Sequence, residues 1–323
     1  MKRTNERGIT LISLVITIIV LLILAGVAIN LAVDSEGIFG KAGEAVNKWN
    51  TSVAQEGSVL ENLLSTMDNY IPIKVIDEPT LKQAIARGGT ITVEADIEVT
   101  EPVIVSEEQN VILNLNGYTI SGSFNKSVGH IVKNDGILEI SGGTISSNGD
   151  NGCAAIFNSG SVKITDTTLN GAPQAGDMWP SYAVLNTGIM ILDDANVTSI
   201  YGSVSSYGEG AIITLNNTNI AMEGVPGFTG NTVYAYNSGK VIINGGNIEN
   251  RATDQSSTGA SVLNGDITVN SGTISGLIVN YYGTPIIKGG IFTCDPTRFL
   301  ASGYKVNSMD DGTYVVVPEE AAE

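Results

Sequence analysis

The sequence is poor in cysteine, histidine and positive charge, and each shortage argues against a class of function. It holds 2 cysteines and 1 histidine in 323 residues, and Cys153 and Cys294 form neither a CxxC pair nor a zinc-ligand spacing. We therefore expect no disulfide framework, no metal site and no cofactor. Against 16 Lys and Arg stand 33 Asp and Glu, a formal net charge of -17. Nucleic acid is not an expected partner, because phosphate binding needs clustered positive charge.

One long apolar run lies near the N-terminus, from Ile9 to Val33, and contains no charged residue. At a rise of about 1.5 Å per residue it is long enough to cross a hydrocarbon core of about 30 Å. Positive charges precede it, at Lys2, Arg3 and Arg7, so the rest of the chain is expected outside the cell. Two alternatives stay open: a secretory signal cleaved near Ala28, and a plain single-span anchor.

The first residues resemble the prepilin start of type IV pilins from Gram-positive bacteria. A short basic leader ends in glycine and is followed by "ITLISLVITIIVLLILAGVAI". The resemblance implies that a prepilin peptidase cuts between Gly8 and Ile9 and methylates the new amine. Residues 1–8 would be the leader and 9–70 a transmembrane and pilin-like helical segment that packs with other pilin subunits.

One residue departs from the pilin pattern. Most pilins carry Glu at the fifth mature position, where this chain has Ser13. A carboxylate inside a bilayer is costly unless it is paired, and pilins are thought to pair it with the amine of a neighbouring subunit. The loss favours a minor pilin or pseudopilin over a major subunit. Such a subunit lies in the cell membrane before assembly and then at the cell surface or in a filament.

Beyond residue 89 the periodicity changes from helix to strand and repeats. Turn glycines recur roughly every 20 to 30 residues, with apolar residues two, four and nine positions after most of them. These glycines are Gly136, Gly160, Gly188, Gly210, Gly239, Gly265 and Gly283. The pattern predicts a mainly β fold, a right-handed parallel β-helix of about nine coils within residues 80–323. Residues 71–79 read as a linker, 80–87 as a cap helix and 295–317 as a closing segment.

Asparagines lie two residues before four of the turn glycines. They are Asn134, Asn158, Asn186 and Asn237. Equivalent positions in successive coils stack, so we predict a ladder of side-chain hydrogen bonds rather than a catalytic cluster.

The coils resemble those of pectate-lyase-type β-helix domains, but a fold resemblance does not carry function. Pectate-lyase chemistry would need an Arg or Lys base beside calcium-binding carboxylates. Arg251 is the best placed residue, with Asp254 and Glu249 near it in sequence. We interpret Asp193-Asp194 as a solvated turn and His130 as an exposed strand residue rather than a base. A surface-tethered polysaccharide lyase or hydrolase is therefore the alternative function.

Three long segments leave the coils at one corner and form a predicted rim. This rim carries three aromatic and two acidic residues, namely Trp179, Tyr182, Phe228, Asp177 and Glu223. Aromatic faces beside carboxylates suit a glycan ligand, although these rings could equally pack their own loops. The sequence as a whole predicts a minor pilin-like subunit displaying an adhesive or carbohydrate-binding head.

Overall fold

The computed structural model divides the chain into two compact units, Met1–Asp68 and Asn69–Glu323. The residues that it describes are 9–33, 38–70, 72–124, 129–148, 154–171, 182–224, 230–253 and 261–319.

The described part of the first unit contains helix α1 (Ile9–Val33) and most of helix α2 (Ile38–Tyr70), which ends two residues beyond the unit. The apolar run is thus helical as expected, and its segment Ile12–Asn30 meets the length and hydropathy of a membrane span. A helix of this kind near an N-terminus can serve as a membrane anchor or as a signal sequence. In α2, apolar side chains at Val46, Trp49 and Val53 follow helical spacing and are exposed in this unit.

The second unit begins with β1 (Ile73–Val75) and α3 (Glu78–Arg87), which both start within the stretch interpreted as a linker. The α3 helix begins two residues earlier than expected because the Asp77 side chain accepts the Thr80 backbone N–H at 2.9 Å. Its apolar face, at Leu81, Ala84 and Ile85, is buried against the core. The helix packs against β1 and against the three strands that follow α3 in the chain.

Strands then follow one another around the coils. In chain order they are β2 (Gly89–Val93), β3 (Ile97–Val99), β4 (Val103–Val105), β5 (Asn110–Asn114), β6 (Thr119–Gly122), β7 (His130–Asn134), β8 (Ile137–Ser147), β9 (Ala154–Asn158), β10 (Ser161–Asn170), β11 (Tyr182–Asn186), β12 (Ile189–Asp193), β13 (Asn196–Ser199), β14 (Gly202–Tyr207), β15 (Ile212–Asn216), β16 (Asn219–Met222), β17 (Asn231–Tyr236), β18 (Lys240–Asn250), β19 (Ser261–Asn264), β20 (Ile267–Ser275), β21 (Ile278–Val279), β22 (Ile286–Ile287), β23 (Gly290–Phe292), β24 (Tyr304–Ser308) and β25 (Tyr314–Pro318).

These strands form three parallel faces. The first face contains β1, β2, β5, β12, β15, β22 and the N-terminal halves of β8, β10, β18 and β20. The C-terminal halves of those four strands join β3, β6, β13, β16 and β23 on the second face. The third face is an eight-stranded sheet of β4, β7, β9, β11, β14, β17, β19 and β21.

The register stacks the predicted apolar positions in rows. Val162 pairs with Leu138 on one side and Met190 on the other, and all three are buried. One continuous apolar core runs inside the coils from Val75 to Val316. The parallel β-helix is therefore confirmed. The coil count differs slightly from the nine predicted, since the β-helix has about 6 turns.

An antiparallel hairpin closes the C-terminal end. β25 pairs antiparallel with β23 of the last coil and with β24. Phe299, in a short 3₁₀ helix at Thr297–Phe299, is buried in the same core. The closing segment thus covers an edge that would otherwise expose unpaired backbone groups.

The asparagine ladder spans three coils rather than four. Asn134 donates to Oδ1 of Asn158 at 2.7 Å, and Asn158 donates to Oδ1 of Asn186 at 2.7 Å. The register continues from Asn186 to Ser206 and Ala235, so Asn237 lies beyond the row. Asn237 is exposed in a turn with φ of 51°, a left-handed conformation that asparagine tolerates.

Candidate functional site

Of the residues predicted to bind a ligand, Trp179, Asp177 and Phe228 lie outside the described residues, as do Gly8 and the weak catalytic candidate Asp254. Ile9 is the first residue of α1. Tyr182 and Glu223 are described, and the structure places them in different surroundings. Tyr182 is part of strand β11, and Glu223 follows β16 beside Arg251.

Tyr182 belongs to a group of six tyrosines on and next to the third face. We call this group the tyrosine surface and define it as Tyr182, Tyr207, Tyr234, Tyr236, Tyr281 and Tyr282. Strands β11, β14 and β17 carry the first four, and the other two follow β21. The group is continuous because each ring lies within 6.0 Å, centroid to centroid, of another ring in it.

Four of the rings, Tyr182, Tyr234, Tyr236 and Tyr282, are arranged in two orientations. Tyr234 stacks on Tyr182 with an interplanar angle of 10° and on Tyr236 with an angle of 12°. The Tyr282 ring stands nearly perpendicular to the rings of Tyr234 and Tyr236, with its centroid 5.5 Å from that of Tyr234 and 4.8 Å from that of Tyr236. Offset-stacked and edge-to-face pairs are the favourable geometries for aromatic side chains. The tyrosines therefore hold one another in place.

Part of the surface is open to solvent. The exposed fractions are 43% for Tyr207, 36% for Tyr236, 67% for Tyr281 and 46% for Tyr282. The other two tyrosines are more enclosed, and burial is the main reason why the pKa values of both Tyr182 and Tyr234 are raised. The enclosed phenols are accordingly neutral at physiological pH.

No charged residue occurs in the five strands that carry or flank the rings. These strands are β11, β14, β17, β19 and β21, with sequences YAVLN, GSVSSY, NTVYAY, SVLN and IV. In a chain with net charge -17 this is a marked local difference. These five strands offer rings and phenolic hydroxyls without a fixed charge.

Sequence reasoning missed five of the six tyrosines because it looked for ligand contacts in the long loops. A signal was present in β17, where Tyr234 and Tyr236 alternate with the buried residues Val233 and Ala235. Period-two alternation puts both tyrosines on the outer side of the strand. Tyr207 of β14 is the register partner of Tyr236 of β17. The spacing of the turn glycines in the sequence does not show that these two residues are neighbours.

Arg251 is held between two carboxylates. Its Nε lies 2.9 Å from Oε2 of Glu249, and its Nη1 forms a second ion pair with Glu223. Hydrogen bonds to Glu249 and Glu223 raise the pKa of the Arg251 guanidinium. This pairing gives no support for Arg251 as a general base, since a base must lose its proton near the working pH. Glu223 is likewise engaged in an ion pair.

The Asp193-Asp194 turn contacts the next coil. Asn216 donates to Asp193 Oδ1 and Asn217 donates to Asp194 Oδ1, both at 2.6 Å. Lys163 adds an ion pair to Asp193 at 3.1 Å. These contacts agree with the interpretation of the pair as a turn that bonds along the stack.

His130 lies on strand β7 as expected, but it is half-buried rather than exposed, with its ring 5.7 Å from that of Phe157. Burial first, and the positive charge of Lys133 second, lower the pKa of its imidazole. Within the described ranges, no group of three His, Cys, Asp or Glu residues lies close enough together to hold a metal ion.

No protein-family model, no curated protein and no solved structure matches the chain.

Proposed function

We propose that the protein is a minor type IV pilin-like or pseudopilin-like surface subunit that displays a β-helix head with an adhesive role. In this proposal a prepilin peptidase cuts between Gly8 and Ile9, the helix from Ile9 to Val33 stays in the membrane until assembly, and the head lies outside the cell. Its partners are the peptidase, other pilin subunits and a glycan.

The observation that carries the proposal is the order of the sequence around Gly8. A short basic segment ends in Gly8, and the uncharged, mainly apolar stretch Ile9–Val33, which the structure describes as helix, follows it directly. A cut at this point would remove the positive charges and keep the entire apolar helix. A secretory signal is processed differently, because its cut follows the apolar segment and removes it.

The second helix supports assembly with other subunits. The exposed fractions of Val46, Trp49 and Val53 are 57%, 71% and 51%, and the three residues follow one face of α2. An isolated helix gains little from such a face in water, whereas helices of neighbouring subunits could bury it.

Ser13 supports a minor rather than a major position. The described side chains of α1 include no carboxylate that could pair with a subunit amine, and the Ser13 carbonyl accepts a hydrogen bond from Thr17 Oγ1 at 2.7 Å within the same helix. Without the usual charge pair, this subunit is expected to depend on other pilins for its place in a filament.

The experiment that tests the proposal is intact-mass and N-terminal analysis of the protein recovered from the surface of its native host. We expect a chain that begins at N-methylated Ile9. A Gly8→Leu variant of the full chain is the matched control and should keep its leader, because it changes the residue at the cut. A wild-type chain that retains Met1, or one that begins beyond Ala28, would overturn the proposal.

A further inference from the structure

The tyrosine surface has the chemistry of a ligand-binding face rather than of a core. Tyr281 and Tyr282 expose 67% and 46% of their area, although rings of this size stabilise a protein most when they are buried. Exposed tyrosines that cluster and contact one another are typical of recognition surfaces, where a ring provides an apolar face and its hydroxyl a polar tip.

The surface is also organised before any ligand arrives. Tyr236 packs against Tyr207 at 5.6 Å, Tyr234 at 5.5 Å and Tyr282 at 4.8 Å between ring centroids. Rings that are already held by neighbours lose little conformational entropy on binding. The underlying strands belong to a continuous sheet, so the backbone beneath the rings is fixed by hydrogen bonds as well.

Charge decides which class of ligand fits. The five strands of the surface contain no Lys or Arg that could bind an acidic sugar, and the chain as a whole repels anions with its net charge of -17. A second copy of the chain would bring the same negative charge. A neutral sugar chain carries no charge for the protein to repel. Its C–H faces can stack on the tyrosine rings and its hydroxyls can hydrogen-bond to the phenolic groups.

We propose that the tyrosine surface binds a neutral polysaccharide chain that lies across the coils of the third face. The tyrosines come from β11, β14, β17 and the segment after β21, so one extended sugar chain that crosses the coils can meet rings from several of them. This inference deepens the proposed adhesive function and rests on it, since it names the ligand class and moves the site from the predicted rim to the strands.

The test is isothermal titration of the full-length protein, in a detergent without a sugar headgroup, with cellohexaose, mannohexaose, xylohexaose and chitohexaose. Hexagalacturonate serves as the anionic probe. We expect at least one neutral hexasaccharide to bind and hexagalacturonate to bind at least about tenfold more weakly. Tyr282→Ala and Tyr236→Ala should each weaken binding at least about tenfold, with Tyr282→Phe retaining most of it.

The matched control is Ile189→Ala, which truncates an apolar side chain on the first face that is 54% exposed, and it should bind like the wild type. Three results would overturn the inference: no neutral hexasaccharide binds, hexagalacturonate binds more tightly, or the alanine variants bind unchanged. Sedimentation that shows the tyrosine variants dissociating an oligomer would assign the surface to contacts between copies instead. A correctly processed chain that binds no sugar overturns this inference alone, whereas an unprocessed chain that binds sugar overturns only the pilin proposal.

Discussion

The rings of Tyr182 and Tyr234 stack at 6.0 Å although strand β14 lies between their strands. Gly202 of β14 is the register partner of Tyr182, and a Cβ atom built on Gly202 would lie 2.7 Å from Cε1 of that ring. Glycine at this position therefore leaves the space through which the Tyr182 ring extends towards Tyr234.

Gly202→Ala should displace the Tyr182 ring and loosen its stack with Tyr234. Because the added methyl overpacks a filled space, we expect a loss of about 1–3 kcal/mol in the free energy of unfolding and a weaker tyrosine signal in near-UV circular dichroism. Ser205→Ala, on the same strand, is the control and should change the near-UV spectrum little. A Gly202→Ala spectrum equal to that of the wild type would contradict this account.

Asn158→Ala should break the asparagine ladder at its centre. The Asn158 amide donates to Asn186 Oδ1 and to the carbonyls of Gly160 and Ile189, and its Oδ1 accepts from Asn134. Removing the Asn158 amide leaves these buried groups without this hydrogen-bond partner. We therefore expect the free energy of unfolding, measured with urea, to fall by about 3 kcal/mol.

Asn237→Ala is the matched control for the ladder, since Asn237 occupies the same position relative to its turn glycine but lies outside the row. The Asn237→Ala substitution should lower the free energy of unfolding by about 1 kcal/mol, because alanine tolerates the positive φ of 51° less well than asparagine does. Equal losses for both variants would mean that the ladder adds nothing to stability.

The first residue of the asparagine ladder, Asn134, has an acceptor that a substitution in the preceding coil could pair. Oδ1 of Asn134 is buried and accepts no hydrogen bond, and Val105 is its register partner in the preceding coil. Val105→Asn supplies a donor at that position, whereas Val103→Asn, an equally buried site on β4, does not. We expect Val105→Asn to be more stable than Val103→Asn by about 1–3 kcal/mol in urea unfolding. The reverse order would show that the ladder does not extend to this coil.

The sequence predicts the fold well because the core rows depend on local alternation. Counting two and four residues from a turn glycine finds Leu138, Val162 and Met190, which the register places side by side. The same counting fails at Asn237, because its coil carries extra residues between the strand and the glycine. The ladder position there is occupied by Ala235 instead.

The site was harder to predict than the core. The tyrosine surface combines residues from four separate segments, and only the register of the third face shows that Tyr207 and Tyr236 are neighbours. Composition directed attention to Trp179 and Phe228 in the loops, which lie outside the described residues. Outward-facing rings on buried strands give a weak signal in one sequence, since alternation alone does not distinguish a binding face from an ordinary solvated one.

Gly160→Ala should be strongly destabilising because two successive coils approach each other closely at this glycine. A Cβ atom on Gly160 would lie 2.2 Å from the carbonyl oxygen of Gly136 in the preceding coil. We expect the free energy of unfolding of Gly160→Ala, measured by heat or urea, to be lower than that of the wild type by about 3 kcal/mol or more. Gly210→Ala is the control: its φ is +83° but no atom lies within 4 Å of the added carbon, so only the backbone cost of about 1–2 kcal/mol applies. A Gly160→Ala variant that loses no more than the control would contradict the close stacking.

Glu78 should make the cap of the β-helix sensitive to acid. Burial alone would raise its pKa, but hydrogen bonds from Lys82 at 2.7 Å and Thr100 at 2.8 Å, with one from the Glu101 backbone, lower it from 4.5 to about 2. A carboxyl whose pKa is lower in the folded state stabilises the fold above its unfolded pKa, and this contribution is lost as the pH falls from 4.5 towards 2.

Glu78→Gln removes that titration. We expect the variant to be less stable than the wild type at neutral pH by about 2 kcal/mol, and the difference to shrink as the pH falls through the same window. Urea unfolding of both proteins at a series of pH values measures this. Glu139→Gln, a change of an exposed carboxylate on the first face, is the matched control for the loss of one negative charge. A constant difference between Glu78→Gln and wild type across the window would show that the cap does not hold a carboxylate with a lowered pKa.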